Sequence, residues 1–309
     1  MLGLATALLL LLPEVVLPRP TDLTAAAADT VELERLATRL GPARLLHLLE
    51  GNAGKRQPKV ALAALRGLGL MGAVHPDLGM LALVPFTETL GRLGQARQLD
   101  DKQMTVASEA LYRICGALGR DSTCTEDAPA TASDCGFNLY EATEHLFGLG
   151  SEPHLPLPLR EGALEGLSAL PPAAWQHLWP RLIALAQAPL QKPPMDREVP
   201  AGHEALVVLA TLLPRGQPEP LLSVIRTAPP EVASDAVSQL CAAQPASRRG
   251  VHPATPLPDD VATRVRTLAA ADQPPRQRQG LLECLRLLGT PGDRALIQNI
   301  LSAGRKKGK

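Results

Sequence analysis

Apolar residues along this chain recur at helical spacing. In Arg160-Glu-Gly-Ala-Leu-Glu-Gly-Leu-Ser-Ala-Leu170, Leu164, Leu167 and Leu170 step by three and form one stripe, while Arg160, Glu161, Glu165 and Ser168 keep to polar positions. The phrase returns as Arg278-Gln-Gly-Leu-Leu-Glu-Cys-Leu-Arg-Leu-Leu288, with leucines at matching places and the same Arg, Gly and Glu around them. One such helix cannot bury its stripe alone, so a repeated stripe predicts stacked helices. Weaker copies align on the same ladder: Leu62, Leu65, Leu68; Leu206, Leu209, Leu212; Val237, Leu240, Ala243; and, less cleanly, Leu111, Ile114, Leu118. Their spacing is uneven, which predicts a degenerate array.

A break and a second apolar helix follow each full copy. Leu170 leads through Pro171-Pro172 into a segment carrying Trp175, Leu178, Trp179, Leu182 and Ile183, and Leu288 leads through Gly289-Thr-Pro-Gly-Asp293 into Leu296, Ile297, Ile300 and Leu301. Pro in a first turn and Gly just past a last turn are the expected boundary residues. The unit is a helical hairpin of roughly 30 to 50 residues, the length of a solenoid repeat.

In these stripes, breaks and hairpins the chain resembles the HEAT-repeat family, and within it the short bacterial repeats of the lyase type, over about residues 30 to 303. The resemblance implies an all-α fold, an irregular α-solenoid superhelix of HEAT-like hairpins. It leaves function open, because that family includes scaffolds, adaptors, regulatory subunits and a few enzymes.

Composition agrees with helices. The hydrophobic fraction is 45% against 2% aromatic, so the core must come from Leu, Ala and Val, of which Leu and Ala are strong helix formers. Thirty prolines would break long helices, but they cluster between the stripes and mark short connections. A formal net charge of zero gives no general footprint for nucleic acid or an acidic substrate. The basic tail, 304–309, reads as a solvated terminus, or as a weak anchor to anionic lipid or nucleic acid.

Residues 1–28 read in two ways. Leu2 to Leu12 has the length of a signal-peptide core and Ala26-Ala27-Ala28 precedes Asp29, which predicts export; the other reading is a first apolar helix in a cytoplasmic chain. Residues 29–303 form the expected solenoid, with a cysteine-containing loop insertion at about 119–136. Cys124 and Cys135 bracket a polar stretch, and a disulfide between them would staple it. Cys115 competes for either partner, while Cys241 and Cys284 fall on apolar helical faces and read as buried free thiols.

Candidate chemistry is sparse. The spacing Cys115-x8-Cys124-x10-Cys135 does not match the close pairs of structural zinc sites. Glu141, Glu144 and His145 share helical spacing but read as a solvated face, and His177 and His203 read as isolated surface histidines. Nucleophile-elbow, phosphate-loop and zincin motifs are all missing. Glycines in Arg66-Gly-Leu-Gly-Leu-Met-Gly72 follow a helical stripe where a dinucleotide fingerprint needs a strand, so close helix packing is expected there.

The function expected is that of a non-catalytic scaffold or adaptor, with no cofactor and no metal, that holds a protein or peptide. The alternative is an enzyme or enzyme-associated factor of the lyase-like branch. Trp175, Trp179 and Arg181 are the candidate partner-binding residues, with Arg160 beside them, because tryptophan is enriched at binding hot spots. Packing against a neighbouring repeat is the competing role for both tryptophans.

Overall fold

A computed structural model describes residues 19–54, 57–120, 134–187, 201–243, 257–271 and 275–307. The described residues are mostly helical, with no strand among them, and the chain divides into two compact units, Met1–Ala117 and Leu118–Lys309. No described helix is long and apolar enough to cross a membrane.

The first unit contains α1 (Pro20–Ala26), α2 (Thr30–Asn52), α3 (Pro58–Val74), α4 (Pro76–Gln95) and most of α5 (Asp101–Arg120). Asp29 caps α2 by accepting the amides of Val31 at 2.9 Å and Glu32 at 3.3 Å. Pro58 and Pro76 open α3 and α4, where a missing N–H costs nothing. Gly41 breaks α2 into two pieces with φ 73° and ψ 167°, a conformation open essentially to glycine alone, just before Pro42. Leu23 of α1 is buried against α2 and α3. The ladder residues Leu65 and Leu68 are buried and Leu62 is half-buried.

Glycines set how closely these helices approach. A Cβ on Gly69 would lie 2.9 Å from the Ala110 Cα, and one on Gly72 would lie 2.6 Å from Ile114 Cγ1. The glycines after the first ladder therefore seat α3 on α5, the packing role expected of them.

In the second unit the ladder helices are α7 (Leu157–Ala169), α10 (Ala201–Ala210), α12 (Pro230–Ala243) and α14 (Pro275–Leu288). Each touches the next, forming one row. The helices between them, α8 (Pro172–Trp175) with α9 (Trp179–Gln187), then α11 (Glu219–Thr227), α13 (Asp259–Ala270) and α15 (Pro291–Lys307), form a second row in the same order, and α6 (Asp134–Ser151) packs on α7 and α8. The ladders point inward: Leu164, Leu167, Leu170, Leu206, Leu209, Leu212, Val237, Leu240, Leu282 and Leu285 are buried, with Leu288 half-buried.

The two rows are tied by different chemistry. Polar side chains link the second row: Gln187 donates to Thr227 Oγ1 at 2.6 Å, Arg226 Nε to Asp260 at 2.6 Å, and Arg266 Nε to Asp293 at 2.7 Å. The first row adds small residues and a covalent bond to polar contacts such as that of Gln277 Nε2 with the Glu231 carbonyl at 3.3 Å. Cys241 of α12 and Cys284 of α14 form a disulfide across 43 residues with Cα atoms 5.5 Å apart, which corrects their reading as free thiols. Helical faces one repeat apart meet in a stack, and Gly280 lets them meet closely, since a Cβ there would overlap Ser238 Oγ. Cys115 is buried and free, and burial pushes its thiol far above the ordinary range. Of the expected Cys124–Cys135 bridge, Cys124 and the Cys135 side chain lie outside what the structure describes.

Asp293 is the most enclosed of the row-linking charges, its side chain 0% exposed. Thr290 and Asp293 cap α15 reciprocally, Thr290 N donating to Asp293 Oδ2 at 3.1 Å and Asp293 N to Thr290 Oγ1 at 3.2 Å. Burial alone pushes the Asp293 carboxyl up, but hydrogen bonds from Arg266 and Thr290 outweigh it and hold the group below the usual carboxylate range. A depressed folded value contributes stability above the unfolded one and loses it as pH falls through the folded one. Acid titration of unfolding free energy is therefore expected to be flatter for Asp293→Asn than for the natural chain below roughly pH 4. Parallel curves would show that the pairing adds nothing.

Candidate functional site

The candidate tryptophans do not share one helix. Pro180 in a continuous helix would set its ring against the Gln176 carbonyl, so α8 stops at Trp175, a 3₁₀ turn covers Gln176–Leu178, and α9 restarts at Trp179 with Pro180 in its first turn. The two indoles thereby separate in role. Trp175 is fully buried and its Nε1 donates to the Leu170 carbonyl at 3.3 Å, closing the hairpin from within. Trp179 is half-buried, and its enclosed Nε1 has no acceptor among the described residues.

A polar and aromatic cluster forms beside them. Tyr140, Glu144 and Phe147 lie along one stripe of α6, and His177 and Arg181 face that stripe from the turn and from α9. Glu144 Oε1 lies 3.1 Å from His177 Nε2, and Glu144 Oε2 accepts from Arg181 Nη1 at 2.6 Å. Tyr140 stacks on His177 with ring centres 4.2 Å apart, and the Arg181 guanidinium sits 4.2 Å above the Phe147 ring. Thr143 Oγ1 reaches the Ala174 carbonyl at 3.3 Å and fastens α6 to α8. Tyr140 remains 51% exposed and the Arg181 side chain 49% exposed, so this cluster is both fixed and presented to solvent.

Arg181 follows Trp179 by two residues at the start of α9. Arg160 goes elsewhere: its Nε donates to the Gly150 carbonyl at 3.2 Å, at the end of α6, where a cation is favourable. His177 is not isolated, because Glu144 and Tyr140 hold it on two sides. The trio Glu141, Glu144 and His145 is not assembled into a site, since Glu144 turns to α9 while Glu141 is exposed. Among the described residues no three His, Cys, Asp or Glu side chains gather as metal ligands. Sequence reading missed Tyr140 and Phe147, although their spacing around Glu144 at i−4 and i+3 marks one helix face.

The cluster contains an acceptor, two cationic or protonatable donors and two rings. Removing Glu144 leaves His177 and Arg181 without their shared carboxylate. Glu144→Ala is expected to cost about 1 kcal/mol, the scale of partly exposed pairs, and to loosen the Tyr140 stack. Thermal unfolding with NMR of the His177 ring checks it, and an unmoved ring signal would rule the stack out as an anchored one.

No protein-family model and no curated protein matches this chain. Among solved structures it is similar to an engineered protein determined by the Northeast Structural Genomics Consortium, at 14% identity and a TM-score of 0.38 over 91% of this chain and 89% of that one. A second engineered protein of the same consortium is similar at 14% identity and a TM-score of 0.36, over 92% of this chain and 72% of that one. Likenesses this loose define no fold.

Proposed function

We propose that the chain is a non-catalytic protein-interaction scaffold, built as an irregular α-solenoid of HEAT-like hairpins. The observation that carries this reading is the order of helix contacts in the second unit, where each ladder helix touches the ladder helix of the next hairpin and the intervening helices do the same. Units that contact mainly their neighbours form extended surfaces, and such surfaces hold proteins or peptides. The presented part of the surface is the Tyr140, His177, Arg181 cluster, with Trp179 at its edge. Arginine and tyrosine are among the residues that most often dominate binding energy.

The test is capture from the native host with the full-length protein as bait, followed by mass spectrometry. A polypeptide retained in stoichiometric amount by the natural chain and lost with Arg181→Glu supports the reading. A co-purifying chromophore without a polypeptide, seen as visible absorbance, would replace it with the lyase-like one.

A further inference from the structure

The helix α15 is the last of the second row and packs on α13 and α14. Its first turn is tied inward through Asp293 to Arg266. Its outer side carries a different pattern. Arg294, Ile297, Leu301 and Arg305 follow one another at steps of three, four and four, which sets these positions along one line of the helix. Arg294 is exposed, with Nη2 donating to the Gly289 carbonyl at 3.4 Å, Ile297 is half-buried, and Leu301 is left 47% exposed. From Arg294 to Lys309 the chain has Arg294, Arg305, Lys306, Lys307 and Lys309 and no Asp or Glu, in a protein whose formal net charge is zero. Arg305, Lys306 and Lys307 close the helix, where cations oppose the negative end of its dipole. The dipole accounts for the cations, but not for a large apolar side chain left in water on the same line.

We infer that the outer line of α15, with the basic residues at its end, is a docking surface for a membrane leaflet bearing anionic phospholipids. Such a leaflet offers both chemistries at once: its headgroups attract Arg and Lys, and the acyl boundary just beneath them takes up an apolar side chain. A helix lying along the leaflet brings Leu301 to that boundary, with cationic positions before and after it on the same line. Charge selects the anionic leaflet, because α15 has no carboxylate beyond Asp293 to repel headgroups. Duplex nucleic acid offers phosphates but no apolar layer, so Leu301 favours the membrane. The contact is peripheral, since no described helix is long and apolar enough to cross a membrane. Leucine burial and headgroup attraction add, and neither is strong alone, so removing either weakens the contact.

The test is sedimentation of the full-length protein with vesicles of phosphatidylcholine and phosphatidylserine, and with vesicles of phosphatidylcholine alone. Stronger binding to the anionic vesicles, reduced by raised salt, is expected. Lys306→Glu with Lys307→Glu is expected to weaken that binding by about tenfold or more, and Leu301→Ser by roughly fivefold. The amino-terminal apolar run is present in every chain compared, so a loss confined to these variants reads α15 alone. Leu301 is exposed in the free protein, so Leu301→Ser keeps the fold, which circular dichroism and the urea midpoint check. Equal binding to both vesicle types, or none to either, overturns the proposal. A Leu301→Ser chain that binds anionic vesicles as the natural one does also overturns it, since charge alone then explains the contact. Gel retardation of duplex DNA is the control: a chain that retards DNA and leaves anionic vesicles unbound assigns the cations to nucleic acid instead.

Discussion

Trp175→Ala is expected to destabilise the second unit by about 3 to 5 kcal/mol, near the top of the range for large-to-small core changes. The indole is fully buried, so its removal leaves a cavity, and the Leu170 carbonyl loses the Nε1 donor that closes the hairpin turn. Trp179→Ala removes a side chain that is only half-buried and is expected to cost under half as much. These are the only two tryptophans, both in the second unit, so fluorescence of the remaining one reports that unit during urea unfolding. Equal shifts for both variants would mean that Trp179 also belongs to the core and leave Arg181 and Tyr140 as the presented residues. An unmoved midpoint for Trp175→Ala would sink the packing of α8 described above.

That contrast shows where sequence reading works and where it stops. Leu164, Leu167 and Leu170 were legible because burial of a stripe imposes a period on the chain, and the period survives in any copy that must stack. The all-helical character followed from the same stripes and from prolines confined between them. The break between Trp175 and Trp179 was less legible, since apolar spacing alone reads Trp175 to Leu182 as one helix. Pro180 carried the missing information: its ring excludes the regular turn that would place both indoles on one face.

Pairings across repeats were not legible at all. Glu144 finds His177 and Arg181 at separations of 33 and 37 residues, and Arg266 finds Asp293 at 27. Uneven repeat lengths erase any fixed offset that would flag such partners. Cys241 and Cys284 kept the nearest thing to an offset, about one repeat, yet apolar neighbours suit a buried free thiol as well as a bridge. Gly280 was the distinguishing sign, because a glycine four residues before a cysteine on a stacked face lets two helices approach to bonding range.

The bridge and the ladder beside it stabilise through opposite states, and this separates two expected effects of similar size. Replacing Cys241 and Cys284 by Ala is expected to lower stability by about 4 kcal/mol, since the bond closes a span of 43 residues and restricts the unfolded chain. Leu285→Ala is expected to cost about 2 to 5 kcal/mol through the folded state, where a fully buried side chain leaves a cavity one residue from Cys284. Urea unfolding with and without dithiothreitol tells them apart. With Cys124→Ser and Cys135→Ser in every chain, reductant should bring the natural Cys241–Cys284 pair down to the level of the double alanine variant and leave that variant unmoved. Leu285→Ala should lose its full increment in both conditions, because the cavity persists whether or not the bond is closed. If reductant instead removes the Leu285 increment, then α14 has already left α12 once the bond opens, and the bridge rather than the leucine stripe holds that hairpin in the stack.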